Sequence, residues 1–99
     1  MDTVKSQNGV SIVLTEERWA HIVDGHPEMI HRRRQVLDTV GSPERILEGG
    51  AGELLAVTRS GERGWLVVVY KEQDVAGFVI TAFRTTKVAS LDRRPQIWP

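Results

Sequence analysis

The chain has no cysteine, which excludes a disulfide framework and a thiolate zinc site and makes a reducing compartment, the cytoplasm, the default expectation. Long apolar runs are also missing. The longest is WLVVVY, Trp65 to Tyr70, far short of the roughly 20 residues a spanning helix needs. No basic-then-apolar leader of the signal-peptide type stands at the N-terminus, so no membrane partner is expected. Charge of one sign is lacking as well: 13 Lys plus Arg balance 13 Asp plus Glu, and whole-molecule electrostatics gives no sign of a polyanionic partner. Any basic patch must be local, and two short clusters qualify, Arg32-Arg33-Arg34 and Arg93-Arg94, each of which also reads as plain solvated surface. Aromatics are sparse at 6%; Trp19 and Trp65 read as core, which leaves Tyr70, Phe83 and Trp98 as platforms on which a base could stack.

What is present fits one small globular domain over residues 1–99, with 40% hydrophobic content and no repeats or linker-like stretches. GVSIVLT reads as a strand ending at Thr15, an N-cap residue, with Glu16 and Glu17 at the positive end of a helix dipole. Trp19, Ile22 and Val23 form the buried stripe of that helix, and His21 falls about 200° around from Trp19. In WAHIVDGHPEM, residues 19 to 29, His21 and His26 are five apart, about 140° around an unbroken helix. Gly25 and Pro27 supply a break between them, because Gly favours the position just past a helix end and Pro drives His26 out of α conformation. A second helix is expected from Pro27 to about Val40, with Met29, Ile30, Val36, Leu37 and Val40 as its apolar face. Arg33 projects from that face, where it must snorkel outward or meet an acid or a phosphate.

From Pro43 the texture changes to short strands between turn residues: ERILEG, ELLAVTRS, a GERG turn, GWLVVVYKE, a QDVAG turn and GFVITAFRT, an antiparallel meander. WLVVVY, apolar on both faces, reads as a central strand covered at least partly on each side. In the last strand Phe78, Ile80 and Ala82 make the more apolar face, leaving Val79, Thr81, Phe83 and Thr85 on the side of an open groove. Residues 87–99 form a C-terminal tail, expected to return and dock Trp98 on the body with Arg93 and Arg94 near the open face.

RWAHIVDGHPEM, ELLAVTR, LVVVYK, GFVITAFRT and QIW together resemble the small nuclease-like domains of the phage-associated group of the barnase, EndoU, colicin-RNase and RelE superfamily. The resemblance spans about Thr15 to Trp98. It implies an α+β fold, with two N-terminal helices packed on one face of a four- to five-stranded antiparallel sheet and RNA on the other. It also implies a metal-independent endoribonuclease, toxin-like or phage-associated, that needs no cofactor, takes RNA as substrate and has a cognate antitoxin or immunity protein as partner.

Cleavage through the ribose 2′-hydroxyl needs a base, an acid for the leaving 5′-oxygen, and donors around the charge developing on phosphorus. By similarity His21 and His26 take the proton roles, Arg59 and Lys71 stabilise the phosphorane, and Thr81 donates to a phosphate oxygen. Arg33, Tyr70, Arg84, Thr85, Arg93 and Arg94 complete the candidate RNA contacts. Each also has an ordinary reading: a solvent-facing helix histidine, a cap, basic guards on strand ends, a strand-forming threonine. The balanced charge favours an alternative, a catalytically inactive binding module of nuclease-like fold acting through a partner protein or RNA. A metal site on His21, His26 and Glu28 lacks the usual paired helical spacing. The oligomeric state stays open.

Overall fold

The computed structural model describes all residues, 1–99. Strands β1 (Asp2–Lys5) and β2 (Ser11–Leu14) precede helix α1 (Glu16–Gly25), a 3₁₀ turn (Pro27–Met29) and helix α2 (Arg33–Gly41). Strands β3 (Arg45–Glu48), β4 (Leu54–Ser60), β5 (Gly64–Gln73) and β6 (Ala76–Thr85) follow, then helix α3 (Val88–Asp92) and strand β7 (Gln96–Trp98). All strands join one seven-stranded sheet in the order β1-β2-β6-β5-β4-β3-β7.

This corrects the expected architecture of two helices on a four- to five-stranded antiparallel sheet. The sheet is larger and mixed: β2 lies parallel to β6, with Ser11, Ile12 and Val13 opposite Ala76, Gly77 and Phe78. The N-terminal residues fold back as a hairpin, β1 on β2, through a turn in which Gly9 takes a φ of +80°. At the far edge β7 pairs antiparallel with β3. The physical reason is burial: Ile12 and Leu14 alternate into the core and are fully buried, so β2 must lie flat against the sheet beside β6.

Helix α1 starts where its cap chemistry dictates, with Thr15 Oγ1 accepting from the Arg18 N–H at 3.0 Å. It ends at Gly25, and His26 takes φ −138° and ψ 77°, outside the α region that the following proline disfavours. The expected single helix from Pro27 to Val40 is instead a 3₁₀ turn and a separate α2, and Ile30, assigned to the apolar face, is exposed at the break.

Both helices cover one face of the sheet. Ile22, Met29, Val36, Leu37 and Val40 pack there on Ile12, Leu14, Ala56, Leu66, Val68, Tyr70, Val79 and Ala82. A β-bulge between Val69 and Tyr70 of the β5–β6 pairing, which sets Thr81 opposite Val69 and Val79 opposite Tyr70, leaves Ile80 as the extra residue. Val79 and Ala82 therefore both enter the core, and the simple alternation that grouped Phe78 and Ile80 with Ala82 fails at that point. On the second face a smaller cluster of Leu47, Leu55, Val57 and Val67 is capped by Leu91 of α3, itself only 4% exposed. Burying one leucine is worth about 2 kcal/mol, so Leu91 is the anchor of the tail. Trp98 contributes less, being half-exposed where β7 pairs with Ile46 of β3.

Candidate functional site

Leu91 of α3 packs on the second face with Leu47 of β3, Leu55 and Val57 of β4 and Val67 of β5. Toward β6 that face carries partly exposed side chains: Trp65, Val69 and Lys71 from β5, and Phe78, Thr81, Phe83 and Thr85 from β6. They share a face because they alternate with the core residues Leu66, Val68, Tyr70, Val79 and Ala82. Arg59 of β4 stands opposite Trp65, which in turn stands opposite Thr85. Three adjacent strands at about 4.8 Å spacing therefore set Arg59, Trp65 and Thr85 in a row about 10 Å long.

Trp65 is the centre of this row. The Arg59 guanidinium carbon lies 5.5 Å from its ring centroid and that of Arg45, on β3, lies 5.7 Å away, both within cation–π range. Each arginine is steadied by an acid: Arg45 by Asp92 of α3 at 2.8 Å, and Arg59 more loosely by Glu44 at 3.8 Å. Glu44 also accepts from the Arg59 backbone N–H and from Thr58 Oγ1, and the Arg59 N–H bond is the main reason its carboxyl is held below the usual carboxylate range.

His26 reaches the same face from the end of α1. Beyond Leu14 the chain leaves β2 for α1, so the outer edge of β6 past Phe78 has no strand beside it, and the helix corner fills that place. The His26 ring lies 5.9 Å from that of Phe83, tilted by 34°, and its Nδ1 is 3.8 Å from the Glu28 carboxylate.

Among the sequence-predicted residues, His26, Arg59, Lys71, Thr81 and Thr85 thus belong to one face. His21 does not: it is exposed on α1, in a shallow depression with Thr15, Glu17 and Arg18. The helix break turns His26 onto the sheet and leaves His21 outside, so the two imidazoles have different surroundings. Tyr70 is fully buried on the helix side, out of reach of a base, and burial, with Glu72 adding to it, pushes its hydroxyl up to about 12. Arg33 meets acids: its Nε donates to Asp2 at 2.7 Å and its Nη2 to Glu16 at 2.6 Å, with its guanidinium over the Trp19 ring. Those hydrogen bonds, helped by the N-terminal ammonium, hold the Glu16 carboxyl down to about 2.

Arg84 points to the helix side, donating from Nη2 to the Ser60 carbonyl at 2.6 Å. Arg94 reaches the Glu48 carbonyl at 3.4 Å beside β3, and Arg93 is exposed next to it, at the opposite edge of the sheet from β6.

No protein-family model, curated protein or solved structure matches the chain.

Two contributors to the face escaped sequence reasoning. Trp65 reads as core because WLVVVY is apolar on both sides, and its ring does pack against the Leu91 cluster, yet it stays partly exposed. Arg45 had no motif to single it out; its relation to Trp65 arises from a diagonal across β3, β4 and β5. No helix is long and apolar enough to cross a membrane.

Proposed function

We propose that the uncovered face over β5 and β6 binds single-stranded RNA. The observation that carries this reading is Trp65, half-exposed with two guanidiniums at its ring, on a face that continues to Phe83 and His26. Unpaired bases stack on aromatic rings and guanidinium planes, while arginine and lysine neutralise the phosphates between them. Arg45 and Arg59 bring guanidinium donors to this face, each beside an acid, and Lys71 adds a charge with no carboxylate within 4.0 Å. Base-paired RNA is a poor ligand for such a face, since its rings are already stacked and its deep groove is closed to side chains.

A ribonuclease is the second reading, favoured by one feature: His26, half-exposed at the rim of this face, has a carboxylate at its Nδ1 side. A histidine can take the 2′-hydroxyl proton, and a nearby carboxylate offsets the charge it gains. Arg59 and Lys71 would then offset the charge on phosphorus, and Thr81 would donate to one of its oxygens. An antitoxin or immunity protein, on this reading, would occupy the same face.

The two readings separate in one experiment. Fluorescent single-stranded and hairpin oligoribonucleotides are titrated with the protein and then followed for cleavage, with a 2′-deoxy substitution at any cleaved ribose. Salt-sensitive binding of the single strand without cleavage supports the binding module. Cleavage blocked by the deoxy substitution and lost in His26→Ala supports the nuclease, and absence of binding to either oligonucleotide refutes both.

A further inference from the structure

On the helix side, at the end of β4, lies a cleft of about 360 Å³ whose lining is polar apart from Leu66. Ser60 forms part of its wall and is only 8% exposed. Its Oγ accepts from Arg32 Nη1 at 3.1 Å and from Arg84 Nε at 3.3 Å. A hydroxyl has two acceptor lone pairs and one proton. With both lone pairs taken by guanidiniums, the Ser60 proton is left to donate, and no protein group accepts it.

The charge around Ser60 is equally one-sided. Arg32, Arg33, Arg45 and Arg84 are the half-buried arginines of the chain. Arg33 is paired with Asp2 and Glu16, and Arg45 with Asp92, whereas Arg32 and Arg84 have no carboxylate within 4.0 Å. The one acid that lines the cleft, Asp38, faces Arg34 at 3.4 Å. Arg32 spends Nη1 on Ser60 and on Gln35 Oε1, and keeps Nε and Nη2 free. Two like charges held on one hydroxyl in a partly desolvated place repel each other, and an anion bound between them removes that cost.

We propose that this cleft binds a phosphate monoester, with Ser60 Oγ–H and Arg32 donating to its oxygens, the Arg84 charge behind Ser60 and Arg59 at the rim. Guanidiniums select such a group because their planar donors match paired phosphate oxygens, which chloride does not offer. The volume admits a mononucleotide and falls at the small end of ligand sites. The same chemistry would hold the 5′-phosphate of a strand. The site lies on the opposite side of the sheet from Trp65 and shares with that face only Arg59, at the rim.

The test is a titration of the ¹⁵N-labelled protein with inorganic phosphate, ionic strength being held constant with chloride. Saturable shifts of the Thr58, Ser60, Gly61 and Arg32 amides are expected, and Arg32→Gln and Ser60→Ala should each weaken binding about tenfold or more, as loss of a charge-assisted hydrogen bond does. Thermal melting checks that each variant is folded, and Ser60→Ala, which leaves both arginines in place, serves if Arg32→Gln is not. Two further arms identify the source: AMP against adenosine, and a 5′-phosphorylated against a 5′-hydroxyl oligonucleotide. A Ser60-dependent preference for the phosphorylated member of the first pair assigns a nucleotide, and of the second a strand end. Shifts that do not saturate, or a folded Ser60→Ala that binds phosphate as the wild type does, would overturn the proposal.

Discussion

Trp65→Ala removes the ring that the Arg45 and Arg59 guanidiniums approach and, on the RNA reading, the main stacking platform of the open face. Base–aromatic stacking is worth about 1–3 kcal/mol per base by alanine substitution. At about 1.4 kcal/mol per factor of ten, Kd should rise roughly 5- to 150-fold. Truncation also costs stability, since the ring packs on the cluster of Leu55, Val57 and Val67. A fully buried aromatic truncated to alanine costs about 3–5 kcal/mol, and a half-exposed one roughly half of that. Binding is therefore measured by fluorescence anisotropy with a labelled single strand, at a temperature where circular dichroism shows the variant folded. Trp65→Phe, which keeps a smaller ring, should recover most of the affinity. A folded Trp65→Ala that binds RNA within about twofold of the wild type would refute the reasoning, because so small a change leaves no room for a stacked base.

The other expectations concern the frame of the site. Glu16 is held from the ordinary 4.5 down to about 2, so its contribution to stability is present above the ordinary value and is lost as pH falls from about 4.5 toward 2; Glu16→Gln should flatten acid unfolding in that window, and an unchanged acid profile would contradict the Arg33 pairing. Tyr70 is the only tyrosine of the chain, so absorbance at alkaline pH reads it directly. It should ionise near 12 rather than 10, with stability falling as pH rises through that interval, and titration near 10 in the folded protein would contradict its burial. At Gly77 an added Cβ would collide with the Lys71 carbonyl oxygen, a backbone atom that cannot swing away. Gly77→Ala should cost about 3 kcal/mol in denaturant unfolding, at the upper end for overpacking, and a loss below about 0.5 kcal/mol would contradict the β5–β6 register.

What could be read in the residues was local. Thr15 caps α1, Pro27 sets the conformation of His26, and the turn residues around Gly61 and Asp74 delimit β4, β5 and β6, since each of these effects acts within a few positions. What could not be read depends on pairing between distant segments. DTVK is too short and mixed to announce a strand and becomes one only against β2. The parallel β2–β6 pairing joins residues more than sixty apart, and the bulge at Ile80 reverses the alternation that assigned the faces of β6. Arg33 shows both limits: its place on the apolar stripe was legible, its partners Asp2 and Glu16 were not. Five candidate residues nevertheless share one face, because the strands that carry Arg59, Lys71, Thr81 and Thr85 are neighbours in sequence, and the Gly25–Pro27 corner brings in His26.

The central claim is that RNA lies on the uncovered face over β5 and β6. Amide and side-chain chemical-shift mapping of the ¹⁵N-labelled protein with a single-stranded oligoribonucleotide bearing a 5′-hydroxyl tests it most directly, since that end leaves the phosphate cleft without its ligand. The expected result is saturable, salt-sensitive shifts of the Trp65 indole N–H and of Arg59, Thr81, Phe83, Thr85 and the His26 corner, with α2 unchanged. Shifts confined to α2 and the helix side, or none at a concentration where anisotropy shows binding, would contradict it.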